Sequence, residues 1–488
     1  MSLYKKLDKS LVISTYILLL IPTVLFFSFW CKWYIAIPSI VIVIFLIHQA
    51  IKHFSYKTEK EYKEIFNVKR WIVIIALLLL LNVLSGSGGI MYQNWDYNAR
   101  NAVLHDLIDY DWPVKYRYDE DDLIYNIVGE NGRLSYYFSY WLPSALIGKV
   151  TNFNVASFAS FIYQFFLLGL FYFLLSRLLN KNSIWFLVVV CCFSGLDIIG
   201  TYILNPTYDF SLGNHIDTWG APFAYSSNIT QLFWVFNQAL PAWIITLLFL
   251  NAKNFKNIGL LIVLSIMFSP FPTIGLCLII LYFLILGFKK ENLFERIKET
   301  LNFRNFLAII PFIFIALFYL NNASSQPKGI ILSSGVGIKQ MIIAMLLEFG
   351  LISILCINKK NWKYVIANSI CLFLCSQFYL GIGNDFVNRT TIPLLLVLLI
   401  MVIDNLKENN KIRNNLIVIY LTLASITPLN EFYRTIVFYN NYGLLAEKNY
   451  NDNWKTYGKT INAEAMQIYI RNFSSPYKDN FLNRYIYK

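Results

Sequence analysis

The sequence predicts an all-α polytopic membrane protein, and three observations carry that expectation. Of 488 residues, 57% are apolar and only 14% charged, whereas a soluble globular chain is nearer a quarter charged. Mean hydropathy is +0.51. The apolar residues are gathered into runs near the ~20 residues that a helix needs to cross a hydrocarbon core. A soluble enzyme, a disordered chain and a collagen-like chain are excluded.

The runs follow in order. The first, 11–30, comes after Lys5, Lys6 and Lys9. It is too long for a signal-peptide core and no small-residue cleavage site follows, so it reads as a retained span. The others are 34–51, 71–88, 154–176, 184–203, 230–250, 258–270, 272–288, 305–320, 336–357, 364–380, 391–405 and 414–429, which makes about thirteen spans. Segments 258–270 and 272–288 meet at Ser269-Pro270-Phe271-Pro272, where the prolines also allow one kinked helix. Lys253 and Lys256 precede the pair, and Lys289, Lys290, Arg296 and Lys298 follow it. Both flanks therefore belong on one side, and the pair goes out and returns.

Charge sets the orientation. Segments 1–10, 52–70, 177–183, 251–257, 289–304, 358–363 and 406–413 hold 24 of the 41 lysines and arginines, while most of the 28 acids lie elsewhere. This is the positive-inside pattern. The net charge of +13 is then a record of topology, and no nucleic-acid partner is expected. The N-terminus is inside and, after an odd number of spans, the C-terminus is outside. The transmembrane domain covers 1–429, including an outer loop at 89–153, and 430–488 is an outward tail. A bias toward Asn, Lys, Ile, Phe and Tyr points to an AT-rich bacterial genome and so to the cytoplasmic membrane. The seven cysteines contain no C-x-x-C pair and read as packing residues.

The first outer loop runs Asn94-Trp95-Asp96-Tyr97-Asn98-Ala99-Arg100-Asn101-Ala102-Val103-Leu104-His105-Asp106 and on to Trp112-Pro113. Ala99, Val103, Leu104, Leu107 and Ile108 fall on one helical face. Asp96 suits the N-cap, and Trp112-Pro113 closes the helix. A second apolar stretch, Tyr136 to Val150, is short and interrupted by Pro143. It reads as a helix in the outer interface, with Tyr136, Tyr137, Tyr140 and Trp141 at headgroup level.

A carboxylate just outside an early span, a short amphipathic helix with Arg and His, a Trp-Pro break and a second interfacial helix together resemble the first outer loop of the GT-C glycosyltransferases. These are polytopic enzymes that take a sugar from a polyprenyl-phosphate donor. The resemblance covers about 94–149. It implies that Asp96 is the catalytic base, with Asp106 as the second candidate, and that the two interfacial helices lie near 97–111 and 135–149. In one respect the chain departs from the superfamily: two spans precede the one at 71–88, where the loop usually follows the first span. The chemistry asks for such an acid independently. Glycosyl transfer passes through an oxocarbenium-like state, and an inverting transfer needs a base for the acceptor proton. A lipid phosphate leaves without acid assistance. Arg100 suits a donor phosphate, and His105 suits a substrate hydroxyl.

Asp119-Glu120-Asp121-Asp122 contains a D-x-D that could hold a divalent cation. A solvated loop is the favoured reading, because the resembling enzymes with single-phosphate donors are metal-independent, and no cofactor is expected. Between the fifth and sixth spans, His215, Asp217 and Trp219 read as a sugar-binding set. Asp197 lies inside a span and is a functional candidate by default, whereas Glu348, deeper in a span, reads as a helix-pairing residue. Asp385 and Arg389 precede a helix start at Pro393, an arrangement that suits an anion.

The expected function is transfer of a sugar from a polyprenyl-phosphate-linked donor to a glycan or lipid-linked acceptor at the outer face of the bilayer, in cell-envelope polysaccharide or glycolipid assembly. One alternative is a polymerase of lipid-linked repeats, which would lean on outward arginines; loop 204–229 has none. Another is a transporter or lipid flippase, which would favour mid-membrane charges and inverted repeats; only Asp197 and Glu348 fit the first demand.

Overall fold

In hydrocarbon every backbone N–H and C=O must pair within its own segment, so apolar runs become helices. The computed structural model describes residues 2–120, 124–217, 219–223, 225–288, 292–321, 328–331, 337–381, 384–442, 456–457, 473–477 and 479–488. It is 73% helical, and each apolar run is helical over most of its length. Seven helices are long and apolar enough to cross a membrane: Leu3–Trp30, Trp33–Lys52, Phe153–Leu178, Ile184–Leu204, Phe303–Asn321, Ile338–Cys356 and Lys411–Phe438. An eighth forms if Glu59–Ile65 and Val68–Leu84, bent by 41°, act as one span. Five more apolar helices are shorter: Phe236–Ala252, Ile258–Phe268, Pro270–Leu286, Trp362–Cys375 and Ile392–Leu406. The helical membrane character of the sequence is thus met, while the expected thirteen full-length spans are not all met by length.

The shortfall has local causes. The run 230–250 is interrupted at Val235, where Asn228–Trp234 gives way to Phe236–Ala252. The run 184–203 opens between Cys192 and Asp197. Ile338–Cys356 contains a π turn at Leu346–Gly350, a feature that often marks functional sites. The last run does not stop at 429, because Ile426–Tyr442 carries the helix well into the segment expected to be tail.

The segments at 258–288 are a hairpin and not one kinked helix. Thr273 Oγ1 donates to Ser265 Oγ at 2.8 Å across the turn. At the far end the Phe255 and Phe288 rings lie 5.6 Å apart. Pro270 sits in the first turn of its helix, where a missing N–H is harmless.

Contacts sort the connecting segments onto two ends. At one end Arg177 Nε donates to Asp8 at 3.0 Å, both fully buried, Arg177 Nη1 donates to Asn251 Oδ1 at 3.0 Å, and the Tyr62 hydroxyl donates to Asp8 at 2.8 Å. These partners all come from the lysine-rich segments. At the other end Ser139 Oγ donates to the Met267 carbonyl at 2.6 Å, and Tyr137 packs on Phe271 and Tyr319. Phe271 in turn packs on Phe386.

The loop 89–153 folds into the helix Asp96–Asp109, the antiparallel strands Lys115–Arg117 and Asn131–Leu134, a 3₁₀ turn Phe138–Trp141 and the helix Leu142–Val150. Ser474–Pro476 of the tail adds a third, antiparallel strand beside Asn131–Leu134. The chain end is held between the first two spans, where Lys32 N–H donates to the Ile486 carbonyl at 2.8 Å. Two of the four aromatics expected at headgroup level are packed inside the protein. Tyr140 and Trp141 are 1% and 3% exposed and pack on Tyr163 and Phe236. The apolar residues that remain outward are Leu146, Ile147 and Val150.

Candidate functional site

The loop helix does not begin as its sequence suggests. Asp96 is its first helical residue, the N-cap position belongs to Trp95, and Asn94 Oδ1 takes the Asp96 N–H at 3.1 Å. Asn94 is fixed in turn through Nδ2, which donates to the Phe233 carbonyl at 2.8 Å. Capping is thereby delegated to Asn94, and the Asp96 carboxylate is left for another partner. That partner is Arg100, one turn on, whose Nη2 donates to Asp96 Oδ2 at 2.9 Å.

The Arg100 side chain is 3% exposed and that of Asp96 32%. The guanidinium lies 5.2 Å from the Phe236 ring centre and 5.6 Å from that of Tyr97, and its Nη1 is buried without a partner among the described residues. A buried guanidinium nitrogen with nothing to bind is unfavourable, and it marks a place where an acceptor oxygen would fit.

A second pair of the same kind also acts on Tyr136. In the short helix Asp385–Thr390, Arg389 Nη2 lies 3.1 Å from Asp385 Oδ1, with the side chains 18% and 38% exposed. Tyr136 connects the two pairs. Burial pushes its hydroxyl above the usual tyrosine range, Arg100 and Arg389 pull it back, and Asp96 and Asp385 push it up again. One phenol thus feels all four charges. Tyr136 rests on Phe473 of the tail at 4.1 Å between ring centres. The sequence placed these pairs nearly three hundred positions apart in the chain, and the fold brings both within electrostatic reach of Tyr136.

The other candidates are distributed differently. Asp106 is fully buried and clamps the tail to the loop helix. It accepts from Tyr116 Oη at 2.7 Å, from the Tyr457 N–H at 2.9 Å and from the Thr456 hydroxyl. Burial lifts its carboxyl to about 7 even though these three bonds pull it down. His105 stacks flat on Phe153, with 3.7 Å between ring centres. Nine residues on from Asp96, it points from the opposite side of the helix.

His215, Asp217 and Trp219 do not form one sugar-binding surface. Asp217 is 1% exposed, and burial with Asp197 nearby raises its carboxyl. Trp219 Nε1 donates inward, to Asp197 Oδ1 at 3.0 Å and Glu348 Oε1 at 2.8 Å. Two glycines make this approach feasible. A Cβ on Gly195 would lie 2.3 Å from Glu348 Oε2, and one on Gly200 2.3 Å from the Trp219 ring. Asp197 starts the helix after the break and also accepts from Ser194 Oγ at 2.8 Å and Thr427 Oγ1 at 2.6 Å. Glu348, on the π turn, therefore joins an acid cluster with Asp197 instead of simply pairing helices. His215 faces outward, and its Nδ1 lies 2.9 Å from Glu431 Oε1. Burial alone would lower its pKa, but Glu431 and Asp217 outweigh that and raise it.

Sequence reasoning missed Asn94, Tyr136, Glu431 and Trp234. Trp234 donates to Glu431 Oε2 at 2.9 Å, and Glu431 was hidden in a segment read as tail. Asp121 and Asp122 of the D-x-D run lie outside the described residues. Among the described residues no group of three or more His, Cys, Asp or Glu is arranged to hold a metal ion. Compared with family models, curated proteins and solved structures, the chain finds no match, so the site stands on its own geometry.

Proposed function

We propose that the chain is a GT-C-like glycosyltransferase that moves a sugar from a polyprenyl-phosphate donor to a glycan or lipid-linked acceptor at the outer face of a bacterial cytoplasmic membrane. The lysine-rich end and the N-terminus face inward, and thirteen helical passes, some short or broken, carry the chain across. The observation that supports this reading is the convergence of the Asp96–Arg100 and Asp385–Arg389 pairs on Tyr136. The cluster has two partly exposed carboxylates and two guanidinium groups.

In this reading the donor phosphate lies between Arg389 and the unpaired Nη1 of Arg100, because guanidinium suits phosphate. Arg100 Nη2, 2.9 Å from Asp96 Oδ2, holds that carboxylate in place. The acceptor hydroxyl attacks the anomeric carbon as Asp96 takes its proton, and the bond from that carbon to the phosphate oxygen breaks. The electron pair leaves on the lipid phosphate, so no acid and no cofactor take part. Base catalysis of this kind contributes about 10²- to 10⁴-fold.

The experiment is sugar transfer in proteoliposomes, with cell lipid extract as donor source, for the parent, Asp96→Asn and Asp106→Asn. Asp96→Asn should lower the rate by at least about 100-fold, while Asp106→Asn should keep most of it. Equal rates for the parent and Asp96→Asn would sink the proposal.

A further inference from the structure

At the lysine-rich end, a cavity of about 550 Å³ opens between the end of helix Trp33–Lys52 and the start of helix Phe303–Asn321. Phe45, Gln49 and Phe303 line it, and Lys256, Lys298 and Arg304 contribute cations. Glu295 and Glu299 also border it. Glu299 is occupied, since it accepts the Phe255 N–H at 3.2 Å and lies 3.4 Å from Lys256 Nζ. The cations outnumber the acids, and the Arg304 guanidinium is met by neutral groups among the described residues, Asn257 Oδ1 at 3.4 Å from Nη1 and the ring nitrogen of His53 at 2.9 Å from Nη2. His53 reports the local potential. Burial lowers its pKa first, and Arg304, Lys52 and Lys256 lower it further.

The rim has the other half of the required chemistry. Leu293–Thr300 is an amphipathic helix whose Leu293, Phe294 and Ile297 are exposed, with Leu301 just beyond it. Phe303 is 71% exposed and Phe306 55%. In the adjacent helix Val41, Ile44 and Phe45 are also exposed. Such a helix lies in the plane of a membrane interface, and a basic pocket beside spanning helices fits an anionic headgroup.

We propose that this cavity binds an anionic phospholipid of the inner leaflet, its phosphate held by Lys256 and Arg304 and its acyl chains laid along Phe45 and Phe303. Free inorganic anions would not use the exposed aromatic rim, and a zwitterionic lipid would not use the excess of cations. The inference rests on the membrane-spanning reading and is independent of the sugar-transfer reading.

Native mass spectrometry of the full chain in detergent tests it, with phosphatidylglycerol, phosphatidylcholine and water-soluble glycerophosphoglycerol as probes. The parent should retain phosphatidylglycerol in preference to phosphatidylcholine, and the soluble headgroup should not displace it. Each cation removed should weaken binding about fivefold, so Lys256→Gln with Arg304→Gln should weaken it about 25-fold. Arg304→Lys, which keeps the charge, should stay within about twofold, and this separates lost charge from lost fold. Equal retention of the two lipids, an unaffected double variant, or displacement by the soluble headgroup would each overturn the proposal.

Discussion

Replacing Asp106 by Asn should remove a pH dependence from the docking of the tail onto the loop helix. Asp106 is fully buried, and two of its three hydrogen bonds come from the tail residues Thr456 and Tyr457. Burial raises its carboxyl to about 7, against about 3.9 for an unfolded chain. Because the folded-state value is raised, the folded state binds the extra proton between those limits. The stabilisation is complete below about pH 4 and is lost as pH rises through 7. Three units correspond to about 4 kcal/mol, most of it lost between pH 5 and 7. The assay is limited proteolysis of the tail in parent and Asp106→Asn at matched pH, read as a ratio of rates so that the protease's own pH profile cancels. The ratio of parent to variant should climb by at least tenfold from pH 5 to pH 8. A ratio that stays level over that range would refute the reasoning, because the buried carboxyl would then have the same proton affinity docked and undocked.

Three further outcomes are expected. Arg177→Met leaves Asp8 buried without its cation and should destabilise the chain by about 3–5 kcal/mol in a thermal unfolding assay, most of it recovered in Asp8→Leu/Arg177→Met. Recovery is expected because an apolar pair of similar volume carries no desolvation penalty. Gly195→Ala puts a methyl group 2.3 Å from Glu348 Oε2 and 3.0 Å from Glu348 Cα. The backbone cannot yield cheaply there, so a loss of about 1–3 kcal/mol is expected in the same assay. Arg389→Gln removes the cation of a partly exposed pair and, on the proposed sugar-transfer reading, should raise the donor KM while shifting the melting temperature little, as surface pairs contribute about 0–1 kcal/mol.

What the sequence revealed follows from how local each signal is. Apolar runs and flanking lysines are local signals, so helix positions were legible, and so was the return of the chain at Ser269. Breaks within runs were not. At 193–196 the backbone leaves the helix where Gly195 admits Glu348 from another helix, and no residue near it signals the visitor. The Asp96–Arg100 pair was legible as an i,i+4 spacing, and Asp385–Arg389 likewise. That Tyr136 would sit among all four charges is a product of tertiary packing and was invisible. Asp96 was misread as the cap because Asn94, two residues earlier, takes that task. The clamp on Asp106 was invisible because its partners arrive from 456–457, about 350 positions downstream. His215 and Trp219 looked like neighbours because they are close in sequence, yet one turns toward Glu431 and the other toward Asp197.

The central claim is that the two Asp–Arg pairs serve one ligand at the outer mouth. A photoactivatable short polyprenyl phosphate, crosslinked to the reconstituted parent and mapped by peptide mass spectrometry, tests it directly. The account predicts labelling of both 95–100 and 385–389, with 136–137 between them, and loss of both labels together in Arg389→Gln. Labelling of one pair alone, or of the segments around Asp197 and Glu348 instead, would contradict it.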